Sequence, residues 1–373
     1  MRWITAEDID NWTSREPRRA QETIPLLVWK LILASCRTIN DCHFPFASAI
    51  QYSGYDGVLD TNDMSPFFPS GKSVWEIGTN ENVLEKFSSD YAKRTAKPDG
   101  IDQANTAFCF VSSRIWKHTK GITELTEEKL KDRVWKSVRI IDATTLSIWL
   151  KTCPAVCSWL SAAMGMPYDG VRDIYDFWRN TVSSTEPKLS EDYFLYKRSS
   201  CVQQLQEICS ADKPTQIVLA CDSWLEAVLC IAAEISATKD LSLRSFGEKC
   251  VIADTLEAVN EIDAHCTDMI VIPTFLFSDM PFTVRKNTII IPVDRYNPLN
   301  RISKSSHRIE IPSRTRHEFC GAIEKLGYDS QEAFDLGQSS PCFPHSGSHC
   351  RCPAKRPQFC PYSTRRMNRA ADS

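Results

Sequence analysis

The chain of 373 residues opens on MRWITAEDIDNW, which lacks an apolar signal core. A secretory leader is therefore not expected, and a cytoplasmic location is. Long uninterrupted apolar runs are also missing. Lys30 breaks TIPLLVWKLILAS, and Lys151 with Pro154 breaks SIWLKTCPAVCSWL, so neither run reaches the roughly 20 residues a bilayer span needs. The sixteen cysteines form no paired CxxC knuckles, and several sit inside apolar runs such as AFCFV and EAVLCIAAEI, where a reduced thiol packs as a small hydrophobe. Cys153 and Cys157, four apart on an apolar helix, are expected to be core residues for the same reason. No internal repeat is present.

A glycine-rich phosphate loop is missing as well. SGKS at 70–73 has Pro66 where the first glycine belongs and a strand where a helix is required. IVLACDSWLEAV occupies a strand-to-helix junction but has neither the glycines nor the lysine that cradle phosphates. Nor does the body of the chain carry excess positive charge. The formal net charge is −3, and the last 33 residues hold five Arg and one Lys against one Asp, so residues 1–340 carry −8. That balance argues against whole-surface nucleic-acid binding, and it leaves room for a local basic cleft. Between Lys72 and Arg139 there are 13 basic and 10 acidic residues, a mild positive excess.

What is present reads as two domains and a tail. Residues 16–34 have apolar residues at near-helical spacing, with Pro25 expected to start or bend the apolar half. FASAIQYSGYDGVLD and SVWEIGT read as strands, NENVLEKFSSDYAKRT as a polar helix, TAFCFVS and SVRIID as strands with a polar helix between them, and ATTLSIWL as a helix capped by Asp142. The first domain is placed at 1–180. SSTEPKLSED reads as a linker, after which TQIVLACD, KCVIAD, DMIVIPTFL and NTIIIPVD alternate with helical SWLEAVLCIAAEIS and TLEAVNEIDAH. That alternation marks a parallel α/β domain over 190–340. Residues 341–373 hold five prolines and four cysteines with scarcely any aliphatic periodicity, and are expected to be disordered or an out-of-frame ending. Cys342, His345, His349, Cys350, Cys352 and Cys360 have zinc-like spacing without the paired knuckles of a zinc site.

The chemistry concentrates at two acids. Asp56 in GYDG precedes Glu76 in SVWEIGT by one strand and a loop, an arrangement that brings two carboxylates to one edge of a small sheet. Such a pair suits Mg²⁺, or Mn²⁺, which keeps its other positions for water and phosphate, activates the water and neutralises charge as a phosphodiester is attacked. Position 78 shares a strand face with Glu76. It is glycine, which leaves room for a cation from the following helix. Lys86, Asp90 and Lys93 lie on one helical face, and Lys86, nearest the strand end, is the first choice to orient the water, with Lys93 next. Trp75 and Ile77 face the opposite way, toward a core. Glu22 in the opening helix is a further acid that could reach the site.

GYDG, SVWEIGT, EKFSSDYAKRT, AFCFVSSRIW and VRIIDATTLSIWL, in that order, resemble the restriction-endonuclease-like N-terminal domain of large bacterial proteins associated with phage defence. The arrangement is similar to the Mrr type of the PD-(D/E)xK nuclease superfamily. The resemblance covers about residues 10–180 and extends into the α/β segment to about 340, which looks like a degenerate signalling-type nucleoside triphosphatase core. It implies a mixed sheet flanked by helices, with Asp56 and Glu76 as metal-binding acids, nucleic acid as partner with DNA the expected substrate, and association with copies of itself or with other defence proteins. Gly78 departs from the pattern, which has lysine there, so Lys86 or Lys93 would substitute. Two competing readings stay open. In one the nuclease fold survives as an inactive recognition or scaffold module, and in the other residues 190–340 form an ATP-driven switch.

Overall fold

A computed structural model describes residues 3–45, 54–166, 170–185, 188–209, 214–275, 286–295 and 307–339. The tail from 341, with its zinc-spaced residues, and residues 46–53 of the strand-like segment expected over 46–60 lie outside the described residues. In chain order the elements are α1 (Ala6–Arg15), α2 (Pro17–Ser35), β1 (Ile39–His43), β2 (Gly57–Thr61), β3 (Gly71–Gly78), α3 (Val83–Ala96), β4 (Ala107–Ser112), α4 (Ile122–Lys131), β5 (Ser137–Ile141), α5 (Ala143–Thr152), α6 (Pro154–Ala163) and β6 (Val171–Asp173). There follow α7 (Ile174–Ser183), α8 (Glu191–Leu195), α9 (Cys201–Cys209), β7 (Gln216–Cys221), α10 (Trp224–Ala237), α11 (Leu241–Lys249), β8 (Cys250–Ala253), α12 (Leu256–His265), β9 (Ile270–Pro273), β10 (Thr288–Asp294), β11 (His307–Glu310), α13 (Arg316–Glu324) and α14 (Ser330–Ser339).

The chain divides into two compact units. The first gathers Met1–Ile174, Lys239–Val271 and Val284–Asn287, and the second Tyr175–Thr238, Ile272–Thr283 and Thr288–Ser373. Contacts along the chain therefore group residues 239–271 with the N-terminal part, an arrangement that no composition shift announces.

The first unit is built on a five-stranded sheet ordered β1-β2-β3-β4-β5. β1, β2 and β3 run antiparallel, whereas β3, β4 and β5 run parallel. The sheet is mixed and flanked by helices. One face carries Leu59, Trp75, Cys109, Val111 and Ile141 into a core with α1, α2, α5 and α6, and Ile77 packs against it. The other carries Val74, Phe108, Phe110, Val138 and Ile140 against Phe87 and Tyr91 of α3 and Leu125 of α4. Alternation along β3 thus sends Trp75 and Ile77 one way and Val74, Glu76 and Gly78 the other. β6 and β8 form an antiparallel pair in the same unit, which departs from the all-parallel pattern expected of the later strands.

The helix expected over 16–34 is α2, and a further helix that was not expected precedes it: α1 starts at a capping box in which Asp8 N–H donates to Thr5 Oγ1 at 3.1 Å and Thr5 N–H to Asp8 Oδ2 at 3.0 Å, the reciprocal pair that satisfies two orphan donors. α2 then begins with Pro17 in its first turn and runs through a buried Pro25. Proline removes one backbone hydrogen bond, but here it lies in the middle of an apolar face whose burial holds the helix together. Cys153 and Cys157 are both buried, but Cys153 stands at the junction of α5 and α6, where Pro154 forces the break.

In the second unit β7 is paired in parallel with β10 on one side and β11 on the other. α10 follows β7 and carries nine buried residues. Continuous apolar strands such as Ile217–Cys221, buried throughout, are what parallel pairing covered on both faces requires.

Candidate active site

Asp56 does not lie in a strand. It stands immediately before β2, one residue beyond the last ladder pair, Gly57 with Trp75. Continued by one step, that antiparallel register sets Asp56 opposite Glu76, and residues directly opposite in such a pair share a face. Asp56 is fixed by the strand end itself: its Oδ2 accepts from the Ile77 backbone N–H at 2.7 Å. Gly57 is needed beside it, because a Cβ there would lie 2.1 Å from the ring of buried Phe44.

Glu76 is buried on the α3 side of β3. Burial pushes its carboxyl up from an ordinary 4.5 to about 7, the Asp56 carboxylate adding to the effect, Arg94 opposing it and Asp90 adding again. Burial also raises Asp56, against the Ile77 N–H and Lys86, with Asp90 raising it further. Three carboxylates thus act on one another in a poorly hydrated place, which is the electrostatic condition a cation relieves.

Two cations from α3 meet them. Lys86 lies along the space over Gly78: a Cβ at position 78 would stand 3.0 Å from Lys86 Cγ and 3.5 Å from Cε. Its amine donates to Asp90 Oδ1 at 2.8 Å. Asp90 is buried, and its Oδ2 also lies 2.8 Å from that amine, with no other hydrogen-bond partner among the described residues. Arg94 is buried too. Its Nε donates to Glu76 Oε1, its Nη1 to Asp99 Oδ2 at 2.9 Å and its Nη2 to the Gly54 carbonyl, while the guanidinium lies 4.3 Å from the centre of the Tyr55 ring.

Asp56, Glu76, Lys86 and Asp90 are therefore brought together. Lys93 is exposed, one residue short of the position that reaches Glu76. Glu22 is exposed and pairs with Arg18 at 3.4 Å. Arg94 went unnoticed in the sequence, yet Val83, Phe87, Asp90 and Arg94 follow one another at spacings of four, three and four, the signature of one helix face.

No three or more His, Cys, Asp or Glu side chains among the described residues are gathered so as to hold a metal ion by themselves. The arrangement suits instead an ion that takes one or two carboxylates and keeps its waters, as Mg²⁺ does. The donor set is the observation that fits such an ion nearby: Asp90, buried beside Asp56 and Glu76, has a single amine shared between its two oxygens and so keeps lone pairs for a bound water.

The strand-to-helix junction of the second unit is differently filled. At the start of α10 the Trp224 N–H donates to Asp294 Oδ1 at 2.5 Å and the Leu225 N–H to Ser223 Oγ at 3.2 Å. A carboxylate of the chain itself sits where a helix N-terminus would otherwise receive an anion.

No family model matches the chain, and no curated protein matches it. Among the described residues no helix is long and apolar enough to cross a membrane.

Proposed function

We propose that the first unit cleaves phosphodiester bonds of nucleic acid, DNA being the expected substrate, with Asp56 and Glu76 holding Mg²⁺ or Mn²⁺. The observation that carries this reading is the seat of Lys86 over Gly78. The amine a nuclease strand of this kind carries at position 78 is supplied from α3, on the same side of the sheet as Glu76. When bound, the metal lowers the charge on the scissile phosphate and makes its water more acidic. Asp56 and Glu76 provide the oxygens, and the Ile77 N–H holds Asp56 in place. Lys86, whose amine is held by Asp90, would offer its ammonium to the negative charge that grows on the phosphate, which stabilises the transition state more than the ground state.

The test is incubation of the purified protein with supercoiled plasmid in Mg²⁺, in Mn²⁺ and in chelator. Cutting is expected with either metal and is expected to vanish with chelator. Asp56→Ala, Glu76→Ala and Lys86→Ala should each lower it by about 10²-fold or more while the protein stays folded. Unchanged cutting by Asp56→Ala or Glu76→Ala rejects the assignment.

Arg94 favours a second reading. A guanidinium already bound to Glu76 is what an inactive platform would retain once metal chemistry was lost. Wild-type protein that binds DNA and never cuts it under any of these conditions would establish the platform instead. The third reading, a nucleotide-driven switch in the second unit, is opposed by the Asp294 carboxylate at the start of α10, and a fluorescent nucleotide titration that saturates would restore it. Association with further copies of the chain or with other defence proteins remains part of the proposal, to be read by mass measurement in solution.

A further inference from the structure

Arg94 is held by four groups at once, and they divide into two sets. Glu76 belongs to the acid cluster, whereas Asp99, the Gly54 carbonyl and the Tyr55 ring lie beyond it. Asp99 is half-exposed, on the turn after α3, with a left-handed φ of 50°. A guanidinium can lose its Nε bond to Glu76 and keep its second arm on Asp99, because the five donors of arginine form a fixed fork that serves two acceptors independently. Charge points the same way: four acids, Asp56, Glu76, Asp90 and Asp99, stand against three basic residues, Lys86, Arg94 and the exposed Lys97, whose amine lies 4.0 Å from Asp99, and the acids raise one another's carboxyl groups at Asp56 and Glu76.

We propose that Arg94 is a resident counter-ion that competes with the divalent metal for Glu76: it closes the acid cluster when no metal is present and retires toward Asp99 when one enters. The proposal rests on the reading of Asp56 and Glu76 as a metal seat. Its second support is Asp90, a buried carboxylate coupled to both acids, whose two oxygens share the one Lys86 amine at 2.8 Å each and have no other hydrogen bond among the described residues. A carboxylate has about four lone-pair sites, so one amine leaves it with capacity to accept from a further cation or its water. Arg94 thus sets a threshold. The metal gains the carboxylates only by displacing a cation that already neutralises one of them, so affinity is lower than the acids alone would give and binding depends on metal concentration.

The experiment measures Mn²⁺ binding by electron paramagnetic resonance, in the absence of nucleic acid, for the full chain and four variants. Arg94→Gln removes the competing charge and should tighten Mn²⁺ binding by about ten-fold or more, the size expected for one charge close by at an effective dielectric constant of about 20. Asp99→Asn removes the place to which Arg94 retires and should weaken Mn²⁺ binding about three-fold. Asparagine tolerates the left-handed backbone as well as aspartate does, so the turn survives. Arg94→Lys keeps a cation but gives up the fork and should tighten binding less than Arg94→Gln. Glu76→Gln should lose the site, which locates the signal.

Binding by Arg94→Gln that is equal to or weaker than wild type overturns the proposal and makes Arg94 a scaffold for the loop at Gly54–Asp56. So does an Asp99→Asn protein that binds as tightly as wild type, or Mn²⁺ binding by none of the proteins. If Arg94→Gln does not fold, Arg94→Lys and Asp99→Asn still move in opposite directions or refute the idea. The binding data also stand apart from cleavage. Metal affinities that shift as expected in a protein that never cuts plasmid would end the nuclease reading and leave Arg94 as the gate of a metal site. Cutting without the shift would end this inference alone.

Discussion

Replacing Glu76 with glutamine should change how stability depends on pH, by an amount that follows from where the carboxyl sits. Burial first, and then Asp56, pushes the group from an ordinary 4.5 to about 7 against the pull of Arg94. An acid raised in the folded state keeps its proton there after the unfolded chain has released it. Between about pH 4.5 and 7 folding therefore takes up a proton, and stability falls as pH rises. At about 1.4 kcal/mol per pH unit, the interval from 4.5 to about 7 makes the loss about 3 kcal/mol, complete above the folded value. Glutamine is the right perturbation because it has the shape of the neutral acid and its amide oxygen can still accept from Arg94. Near pH 4 the two proteins should unfold at nearly the same urea concentration, since wild-type Glu76 is then neutral in both states. By pH 8.5 the glutamine protein should be the more stable by up to about 3 kcal/mol. The assay is urea unfolding in chelator at four pH values across that range, reading the difference between the proteins so that every other titrating group cancels. A difference that does not move with pH refutes the reasoning. So does one that moves the other way, with wild type gaining on the variant as pH rises, because the Arg94 ion pair would then outweigh the cost of burial.

Gly78→Ala places a methyl 3.0 Å from Lys86 Cγ and 3.3 Å from Phe110 Cζ, so Lys86 must give way. Stability should change by less than about 1 kcal/mol while plasmid cutting falls about ten-fold, and undiminished cutting would show that Lys86 does not need this seat. Lys30 and Glu248 form a buried ion pair in the first unit, with Nζ at 2.7 Å and 2.9 Å from the two carboxylate oxygens. Glu248→Ala should cost about 3–5 kcal/mol, and the double variant Lys30→Met, Glu248→Leu should recover most of that; a single variant as stable as wild type in urea would refute it. Burial pushes the thiols of Cys36, Cys42, Cys109, Cys230 and Cys266 up to about 12. They should not react with a disulfide reagent at pH 8 until denaturant is added, and rapid labelling of any of them in the folded protein would contradict its burial.

Much of the first unit was legible because its signals are local. Asp142 was read as a cap, and its Oδ1 accepts from the Thr145 N–H at 2.9 Å. TAFCFVS and SVRIID were read as short apolar strands and pair in parallel. What escaped depends on partners far along the chain. INDCH has only Ile39 and Cys42 as apolar residues, too few for a strand pattern, yet it is β1 because β2 offers it a ladder and those two residues reach the core. The sorting of residues 239–271 with the N-terminal part is a packing result, which periodicity within a segment cannot express.

The same distinction explains the site. Asp56, Glu76 and the vacancy at Gly78 follow from the alternation of one strand and the register of a second, both of which are short-range. The helix partner depends on angle: Lys86 and Lys93 are the residues the sequence offers, and what separates Lys93 from Arg94 is about 100° of rotation per residue. Counted from Lys86, Asp90 lies about 40° round the helix, Phe87 about 100°, Arg94 about 80° and Lys93 about 20° in the opposite sense. Taking the lysines as the origin makes Lys93 look inward. Taking the apolar residues Val83, Phe87 and Tyr91, which must face the sheet, centres the inner face near Arg94 and leaves Lys86 at its margin, with its amine able to turn back over Gly78. A cation on the inner arc has no route to water and must meet an acid. Glu76, the buried carboxylate on the facing strand, is that acid. The core thus fixes which basic residue meets Glu76, and Lys86, the residue at the margin, is the one the proposed function assigns to substrate.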